Sequence, residues 1–430
     1  MRCGVRCVAY QQLTLLVNSG ASGCIAAVGV PATQEDSFVS DDRSGAPRRF
    51  DGVDGPRVAI AHDYLTQRGG AEKVVLSMSK AFPDAPIYTL LYDPAGTYPE
   101  FAERDVRVSP LNRMSLFRKH HRAALPVLPF AASAMFIDAD VVVTSSSGWA
   151  HGFRTNGAKL VHCHTPAHWL YALEHYLKPD GDKLKRAVLK VGSPALRSWD
   201  QRAATTVDRY LAVSTAIKDR IRTAYGIDAG VLPSPISMRP DAPAEPVPEV
   251  AHWLTDGGEP FYLCVSRLMA YKNVDAVIGA FAHTDRRLVV VGHGPEAARL
   301  ERLKTPNVAL LSALTDGQMA WLYQSCRALI AASYEDFGLT PIEAAVSGKP
   351  SVVLRWGGFL DTVVEGSTGV FFDRPEPAAI AEALDRFEAG EFDPDRLRAH
   401  AERFTEARYA ESLYAAVDEI VNPNQVTPRP

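Results

Sequence analysis

Glu335 and Glu343 bracket the run Glu335-Asp-Phe-Gly-Leu-Thr-Pro-Ile-Glu343, two carboxylates around a glycine turn and a helix start. Thr340 can cap backbone N–H groups, Pro341 suits a first helical position, and Glu343 stands where a capping box takes an acid. The unpaired N–H groups and positive dipole end of such a helix would face whatever lies against Phe337-Gly338-Leu339, and phosphate is the group that helix starts hold best. Two readings stand at this level. Either the run holds a phosphorylated sugar, or Glu343 only completes the cap and Glu335 is a solvated loop acid.

Cations lie upstream. Phe261-Tyr-Leu-Cys-Val-Ser-Arg267-Leu-Met-Ala-Tyr-Lys272 reads as a buried strand that delivers an arginine and then a lysine just past its carboxyl end. A guanidinium fork and an ammonium point charge together suit a diphosphate. Arg287-Leu-Val-Val-Val-Gly-His-Gly294-Pro gives a second strand ending in a turn, where Gly292 and Gly294 let backbone approach a phosphate. A cation after a strand is ordinarily a solvated surface charge, so the weight rests on order and spacing.

Such groups need strands to carry them. From Arg57 the pattern is strand, turn, helix, repeated: Val58–Ala61, a helix from Gly69-Gly70 to Phe82, Val141–Val143, Lys159–His162 and Tyr210–Val213. This alternation predicts α/β architecture with parallel sheets covered on both faces, and ligands in that class collect outside the carboxyl ends of strands. A chain of 430 residues exceeds one ordinary core. The expected division is a disordered extension over 1–56, a first domain over 57–235, a Pro-rich linker over 236–258, a second domain over 259–395 and a closing helix over 396–425.

These residues resemble the family 4 glycosyltransferases, which move a sugar from a nucleotide diphosphate with retention of configuration on the GT-B fold. The resemblance rests on Ser266-Arg267, Lys272-Asn273, Gly292-x-Gly294-Pro295, Glu335 and Glu343, Gly348-Lys349-Pro350 and Gly357-Gly358-x-x-Asp361. It extends to His62-Asp63-Tyr64, Gly69-Gly70-Ala71-Glu72 and His162-Cys163-His164-Thr165-Pro166. It implies two Rossmann-like domains facing a central cleft, with a C-terminal helix crossing back to the first. Tyr271-Lys272 and the His-Thr-Pro segment look most like the branch of O-antigen and exopolysaccharide mannosyltransferases. The implied reaction is hexose transfer, mannose from GDP-mannose, to a cell-envelope glycan or lipid-linked acceptor. UDP-glucose or another donor on the same fold is the nearest alternative, and a non-catalytic nucleotide-sugar-binding partner is the alternative of another class.

By that resemblance Arg267 and Lys272 would stabilise the departing diphosphate, Glu343 would take the ribose hydroxyls, and Glu335 with Phe337, Gly338 and Leu339 would hold the sugar, with the helix start near Thr340 on the phosphates. Gly69, Gly70, Gly292 and Gly294 would lie against the donor, His164 would contact donor hydroxyls, and His168 and Trp169 would serve the acceptor. His162 and His164 are expected to point into the cleft. No metal and no cofactor are expected. Asp361 replaces the usual Glu after the glycine pair, and Leu232-Pro-Ser-Pro-Ile236 replaces the usual Pro-Asn-Gly-Val-Asp.

Other features narrow the function. A net charge of −4 gives no basis for bulk nucleic-acid binding. Asp138-Ala-Asp140 has the look of a metal-binding pair, yet precedes a strand. Thr315-Asp-Gly-Gln318 is a plain capping box. Gly69-Gly70 lacks the Gly-x-Gly-x-x-Gly that a nicotinamide-binding Rossmann turn needs. The six cysteines show no metal spacing, and Cys264 and Cys326 sit in apolar patterns, which fits a reducing cytoplasm. Arg107 to Phe136 collects Arg107, Arg113, Arg118, Lys119 and Arg122 beside Leu116, Phe117 and Leu125. It reads equally as a solvated helix followed by core or as a face resting on the anionic inner surface of the plasma membrane. Arg2, Arg6 and Ala21-Ser-Gly-Cys24 offer a rival export reading of the first segment. The apolar run Leu13–Val17 is poor for that, and export would part the chain from nucleotide sugars.

Overall fold

The computed structural model describes residues 55–119, 124, 127–171, 183–238, 241, 243–254 and 260–422. Apart from Gly55 and Pro56, the expected N-terminal extension lies outside the described residues, as do His120, His121, Arg122 and Leu125 of the basic stretch.

The first sheet begins with β1 (Val58–Leu65). It runs beyond the apolar Val58–Ala61 because its two polar residues are buried with partners. The Nδ1–H of His62 donates to the Ser145 carbonyl at 3.0 Å. The Asp63 carboxylate accepts from the N–H groups of Ser147, Trp149 and Ala150 at 2.6, 2.6 and 2.7 Å. Buried polar groups are tolerated in a core strand when so satisfied. After the helix Gly70–Ala81 come β2 (Ile87–Tyr92), β3 (Val106–Val108), β4 (Phe136–Ile137), β5 (Val141–Ser146), β6 (Arg154–Thr155), β7 (Ala158–Cys163), β8 (Arg209–Ala212) and β9 (Gly230–Val231). Among the described residues the order is β3-β2-β1-β5-β7-β8-β9, with parallel pairing at each step, and β4 with β6 forms a separate pair.

The second sheet comprises β10 (Tyr262–Val265), β11 (Leu288–Val291), β12 (Val308–Leu311), β13 (Leu329–Ala331), β14 (Ser351–Leu354) and β15 (Gly369–Phe372). Its order is β12-β11-β10-β13-β14-β15, again parallel. β11, β13, β14 and β15 are buried along their whole length, and their apolar runs show it. Val247 and Val250, inside the Pro-rich stretch, are themselves buried against Phe261, Leu263 and Tyr323 of this second core.

The chain closes with the helices Pro394–Ala401 and Glu406–Val421, joined by a short 3-10 turn. The last helix returns to the first domain. Its Tyr409, Leu413, Ala416 and Val417 are buried with Val74, Val75 and Met78, each large apolar side chain contributing about 1.5–3 kcal/mol on burial. Glu406 accepts from Ser77 Oγ at 2.7 Å and from Lys80 Nζ at 2.8 Å, and Tyr414 Oη donates to the Ala81 carbonyl at 2.6 Å. The two crossings between domains run side by side: Ile236 bridges Thr405 and donates to the Phe404 carbonyl at 2.9 Å.

Each sheet has a switch point. In the first, β1 lies between β2 and β5; in the second, β10 lies between β11 and β13. Chain leaving the carboxyl ends of such neighbours diverges to opposite faces and opens a crevice.

Candidate functional site

The second-domain crevice is built by the segments after β10 and β13. A 3-10 turn, Ala270–Lys272, follows β10, and Asn273 then takes a left-handed conformation at φ 51°, which asparagine tolerates better than most residues. Its Nδ2 donates to the Ala332 carbonyl at 2.9 Å and ties the turn to the end of β13. Lys272 is consequently drawn inward, only 8% exposed, and its Nζ donates to Glu335 Oε1. Ser333 Oγ donates to the same oxygen at 2.9 Å. Two residues singled out from sequence, 63 positions apart, thus meet as an ion pair. Arg267 is exposed nearby, its Nη2 3.2 Å from Tyr271 Oη.

The glycines also have a local steric cause. A Cβ on Gly292 would lie 1.8 Å from the Ser266 carbonyl oxygen, and one on Gly294 would lie 2.3 Å from that of Leu268. Both positions are therefore dictated by the turn after β11 crossing the backbone after β10.

The helix after Glu335 also differs from the sequence expectation. It spans Leu339–Val346, its N-cap is Gly338 at φ 88°, and no side chain caps it. A Cβ on Gly338 would meet the Phe359 ring at 2.5 Å. Thr340 and Pro341 therefore lie inside the first turn rather than at its boundary. Glu343 does not close a capping box either: its Oε2 accepts from Tyr323 Oη at 2.6 Å. Tyr323 is fully buried, and burial, followed by the charge of Glu343, pushes its hydroxyl well above the ordinary tyrosine range, so it stays a donor.

On the first domain, Gly69 is the N-cap of the helix Gly70–Ala81. A Cβ there would lie 2.5 Å from Glu72 Oε2, so the buried carboxyl of Glu72 occupies the space a side chain would need. Burial raises the Glu72 carboxyl above its usual range, with His62 opposing. A Cβ on Gly70 would touch Leu339 Cδ1 at 3.5 Å, which brings the double-glycine turn against the helix start of the other domain.

The histidines divide. His164 is partly buried at the end of β7, with Nε2 2.8 Å from Ser145 Oγ. Burial, then the neighbouring His162 and His62, hold its imidazole well below the usual range. His162 does not face the cleft: it is fully buried, donates from Nε2 to the Leu232 carbonyl at 2.8 Å, and its Nδ1 lies 3.1 Å from Tyr409 Oη of the closing helix. Strand alternation explains the difference poorly, since both are even-numbered; the strand has ended by His164. His168 lies in the short helix His168–Tyr171 and reaches across the cleft, while the side chain of Trp169 falls outside the described residues.

The partner of His168 is Asp336, with Nε2 to Oδ2 at 2.7 Å. Asp336 also accepts from Arg220 Nη1 at 2.5 Å, and its carbonyl accepts from Ser214 Oγ at 2.6 Å. Burial alone would raise the Asp336 carboxyl, but hydrogen bonding and charge from His168 and Arg220 outweigh it and hold it low. Beside it, Asp361 accepts from the backbone N–H and hydroxyl of Thr215 at 3.1 and 3.0 Å. Below these, Phe337, Ile342 and Phe404 share one core with Val213, Ile217 and Ile221. Sequence reasoning did not single out Asp336, Arg220, Tyr323 or Thr215; only the charge of Asp336 inside the loop hinted at a partner.

The metal look-alike is structural. Asp140 and Asp138 bind Arg57 at 3.0 and 3.3 Å. Among the described residues no group of three His, Cys, Asp or Glu could hold a metal. Thr315 and Gln318 form the expected capping box, and Cys163, Cys264 and Cys326 are buried free thiols.

With this geometry in place, known sequences can be set beside it. Residues 68–238 match the profile described as Glycosyltransferase Family 4, and residues 249–407 match Glycosyl transferases group 1, one for each domain. The chain belongs to glycosyltransferase family 4. Its relatives include the D-rhamnosyltransferase WbpZ of Pseudomonas aeruginosa, 29% identical over 217 residues, covering 46% of this chain and 54% of that protein. A GDP-mannose-dependent alpha-mannosyltransferase of Corynebacterium glutamicum is 32% identical over 139 residues, covering 31% and 33%. The chain thus spans about half or less of the length of these two relatives. The solved structure of Anabaena HepE in complex with UDP-glucose is similar at 16% identity, with a TM-score of 0.61, covering 84% of this chain and 100% of that one. This family 4 chain has the GT-B fold.

Proposed function

We propose that this chain is a retaining, metal-independent hexosyltransferase that moves mannose from GDP-mannose to a glycan or lipid-linked acceptor of the cell envelope. The observation that carries this reading is the meeting of Lys272, Glu335 and Ser333 at the switch point of the second sheet, with Gly70 of the first domain against Leu339. Cleavage of a sugar–phosphate bond leaves negative charge on the departing diphosphate. Lys272, Arg267 and the N–H groups of the helix starting at Leu339 would stabilise that charge as it develops. Glu335 is then released to the sugar hydroxyls, and Glu343, held by Tyr323, takes the ribose. Closure of the first domain excludes water from the bond being broken. The C. glutamicum relative's name favours the GDP-mannose donor, and the mannosyltransferase-like Tyr271-Lys272 pair agrees with it.

The acceptor side favours a lipid carrier at the inner membrane face, where sugar nucleotides are available. Met114, Leu116, Phe130 and Phe136 are 50%, 58%, 73% and 52% exposed on the segment that carries Arg113 and Arg118. Exposed large apolar side chains beside cations suit an anionic interface. Among the described residues no helix is long and apolar enough to cross a membrane. Calorimetry of the full chain against GDP, UDP, ADP, their sugars and NAD tests the donor. Selective binding of GDP and GDP-mannose supports the reading. A response to UDP-sugars alone replaces mannose, and silence toward every sugar nucleotide removes the activity.

A further inference from the structure

We propose that Asp336 is a positioning residue for transfer, a carboxylate supplied by the donor domain that sets the imidazole of His168 in the acceptor domain. The inference rests on the glycosyltransferase reading above and adds a residue that the family motifs do not assign.

Asp336 sits between Glu335 and Phe337, so its backbone belongs to the loop that borders the donor crevice. Its side chain points the other way. One carboxylate oxygen takes His168 Nε2 at 2.7 Å, and the other takes Arg220 Nη1 at 2.5 Å. The two partners come from separate elements of the first domain, the helices His168–Tyr171 and Thr215–Tyr225. Arg220 is itself braced, with its guanidinium carbon 5.3 Å from the Trp356 ring centroid. Ser214 Oγ adds a bond to the Asp336 carbonyl at 2.6 Å. Asp336 therefore cannot shift without moving either the donor loop or both first-domain helices.

The chemical consequence lies in the ring. A neutral histidine that donates from Nε2 carries its lone pair on Nδ1. A carboxylate on one imidazole nitrogen fixes both tautomer and orientation of the other, as in catalytic triads. With Nε2 taken by Asp336, Nδ1 is the nitrogen left for another partner, on a side chain that is 39% exposed. An acceptor hydroxyl donating to Nδ1 would be held in place by a contact that exists only while the two domains are juxtaposed. Arg220 adds its charge to the effect of His168 in holding the carboxylate ionised, so that Asp336 accepts from His168 rather than donating to it.

The test uses the full chain and GDP-mannose, with washed bacterial membranes as acceptor and with water alone. Asp336→Asn and His168→Gln should each lower kcat about tenfold while the KM for GDP-mannose and the affinity for GDP stay within about twofold. The double variant should be no slower than the slower single, because both changes remove one interaction. An unchanged kcat in Asp336→Asn, a loss confined to donor KM, or additive losses in the double variant would overturn the assignment. A wild-type chain that binds no sugar nucleotide defeats the functional reading instead. The pairing is then read from urea unfolding of the same four proteins, where additive losses of stability overturn it and a shared loss supports it.

Discussion

Lys272 and Glu335 are joined by an ion pair at the switch point of the second sheet, the lysine nearly buried and the glutamate side chain 28% exposed. The pair holds a cation in place before any phosphate arrives, because Ser333 fixes Glu335 and Asn273 fixes the turn carrying Lys272. On the proposed function, a diphosphate entering the crevice would take over the ammonium and free the carboxylate for the sugar. Lys272→Ala should therefore lower kcat about 10²–10³-fold, the usual cost of removing one donor aimed at developing charge. Steady-state kinetics with GDP-mannose check this. A change confined to KM would mean that the lysine only binds, and unchanged turnover would remove it from the site.

His162 makes the fold sensitive to acid. Burial lowers its imidazole from 6.5 to about 4, while the Leu232 carbonyl opposes the shift. Well above pH 6.5 neither folded nor unfolded chain protonates this ring, and its full contribution is present. As pH falls, the unfolded chain takes up the proton first, so stability drops across the window from 6.5 to about 4, by about 3 kcal/mol at most. His164 is displaced in the same direction by burial and adds to the slope. Urea unfolding at pH 7 and pH 5 should show a lower midpoint at pH 5, and His162→Gln should flatten the difference. A midpoint that does not move would contradict a buried neutral ring.

The strands and the cations after them were legible because parallel sheets covered on both faces leave continuous apolar runs, as in Leu288–Val291, and because cations placed just beyond such runs fall at strand ends. Lys272 and Glu335 could be singled out by order and spacing and given roles by the family resemblance, though not as partners. Asp336 could not be read. Its partners His168 and Arg220 lie 168 and 116 residues away, and contacts at that separation leave no local pattern. The helix boundary failed for a related reason. Thr340 and Pro341 are good capping chemistry, but Phe359 from another element packs against Gly338 and places the boundary there. His162 was misplaced because a strand-end histidine gives no sign of a closing helix, whose Tyr409 is 247 residues on.

Gly292 tests whether the glycine pair serves phosphate approach or local sterics. A Cβ at 1.8 Å from the Ser266 carbonyl oxygen meets backbone, which cannot swing aside like a flexible side chain. Gly292→Ala should cost about 1–3 kcal/mol of stability, in the range of core overpacking. It should also lower the melting temperature without any nucleotide present. A variant as stable as wild type that loses only GDP affinity would return the glycine to phosphate approach.

The basic, apolar segment predicts a partition measurement. Flotation with vesicles of phosphatidylglycerol and phosphatidylcholine should carry the chain upward, less so in high salt, since charge attraction to the surface is screened. Leu116→Asp with Phe130→Asp places charges at two of the most exposed apolar positions and should abolish flotation while leaving GDP binding intact. Equal flotation of wild type and variant would leave the segment an ordinary solvated face.

Tyr323 offers a test of the second glutamate that does not touch the ligand. Its hydroxyl donates to Glu343 Oε2 at 2.6 Å from a fully buried position, so it fixes the carboxylate without reaching the crevice itself. Tyr323→Phe keeps the ring, which packs among Phe261, Leu263 and Cys326, and removes only the donor. A hydrogen bond to a charged group contributes about 1.5–3 kcal/mol. Part of that is recovered by water, because Glu343 is only half-buried. The loss passed on to ribose binding should then be about tenfold in GDP affinity by calorimetry, with kcat at saturating donor nearly unchanged. Glu343→Gln should weaken GDP at least as much, and adding Tyr323→Phe to it should cost little further, because the phenol then orients nothing that the ribose uses. Independent, additive losses in that pair would show that Glu343 meets the nucleotide without help from Tyr323, or that the ribose lies elsewhere.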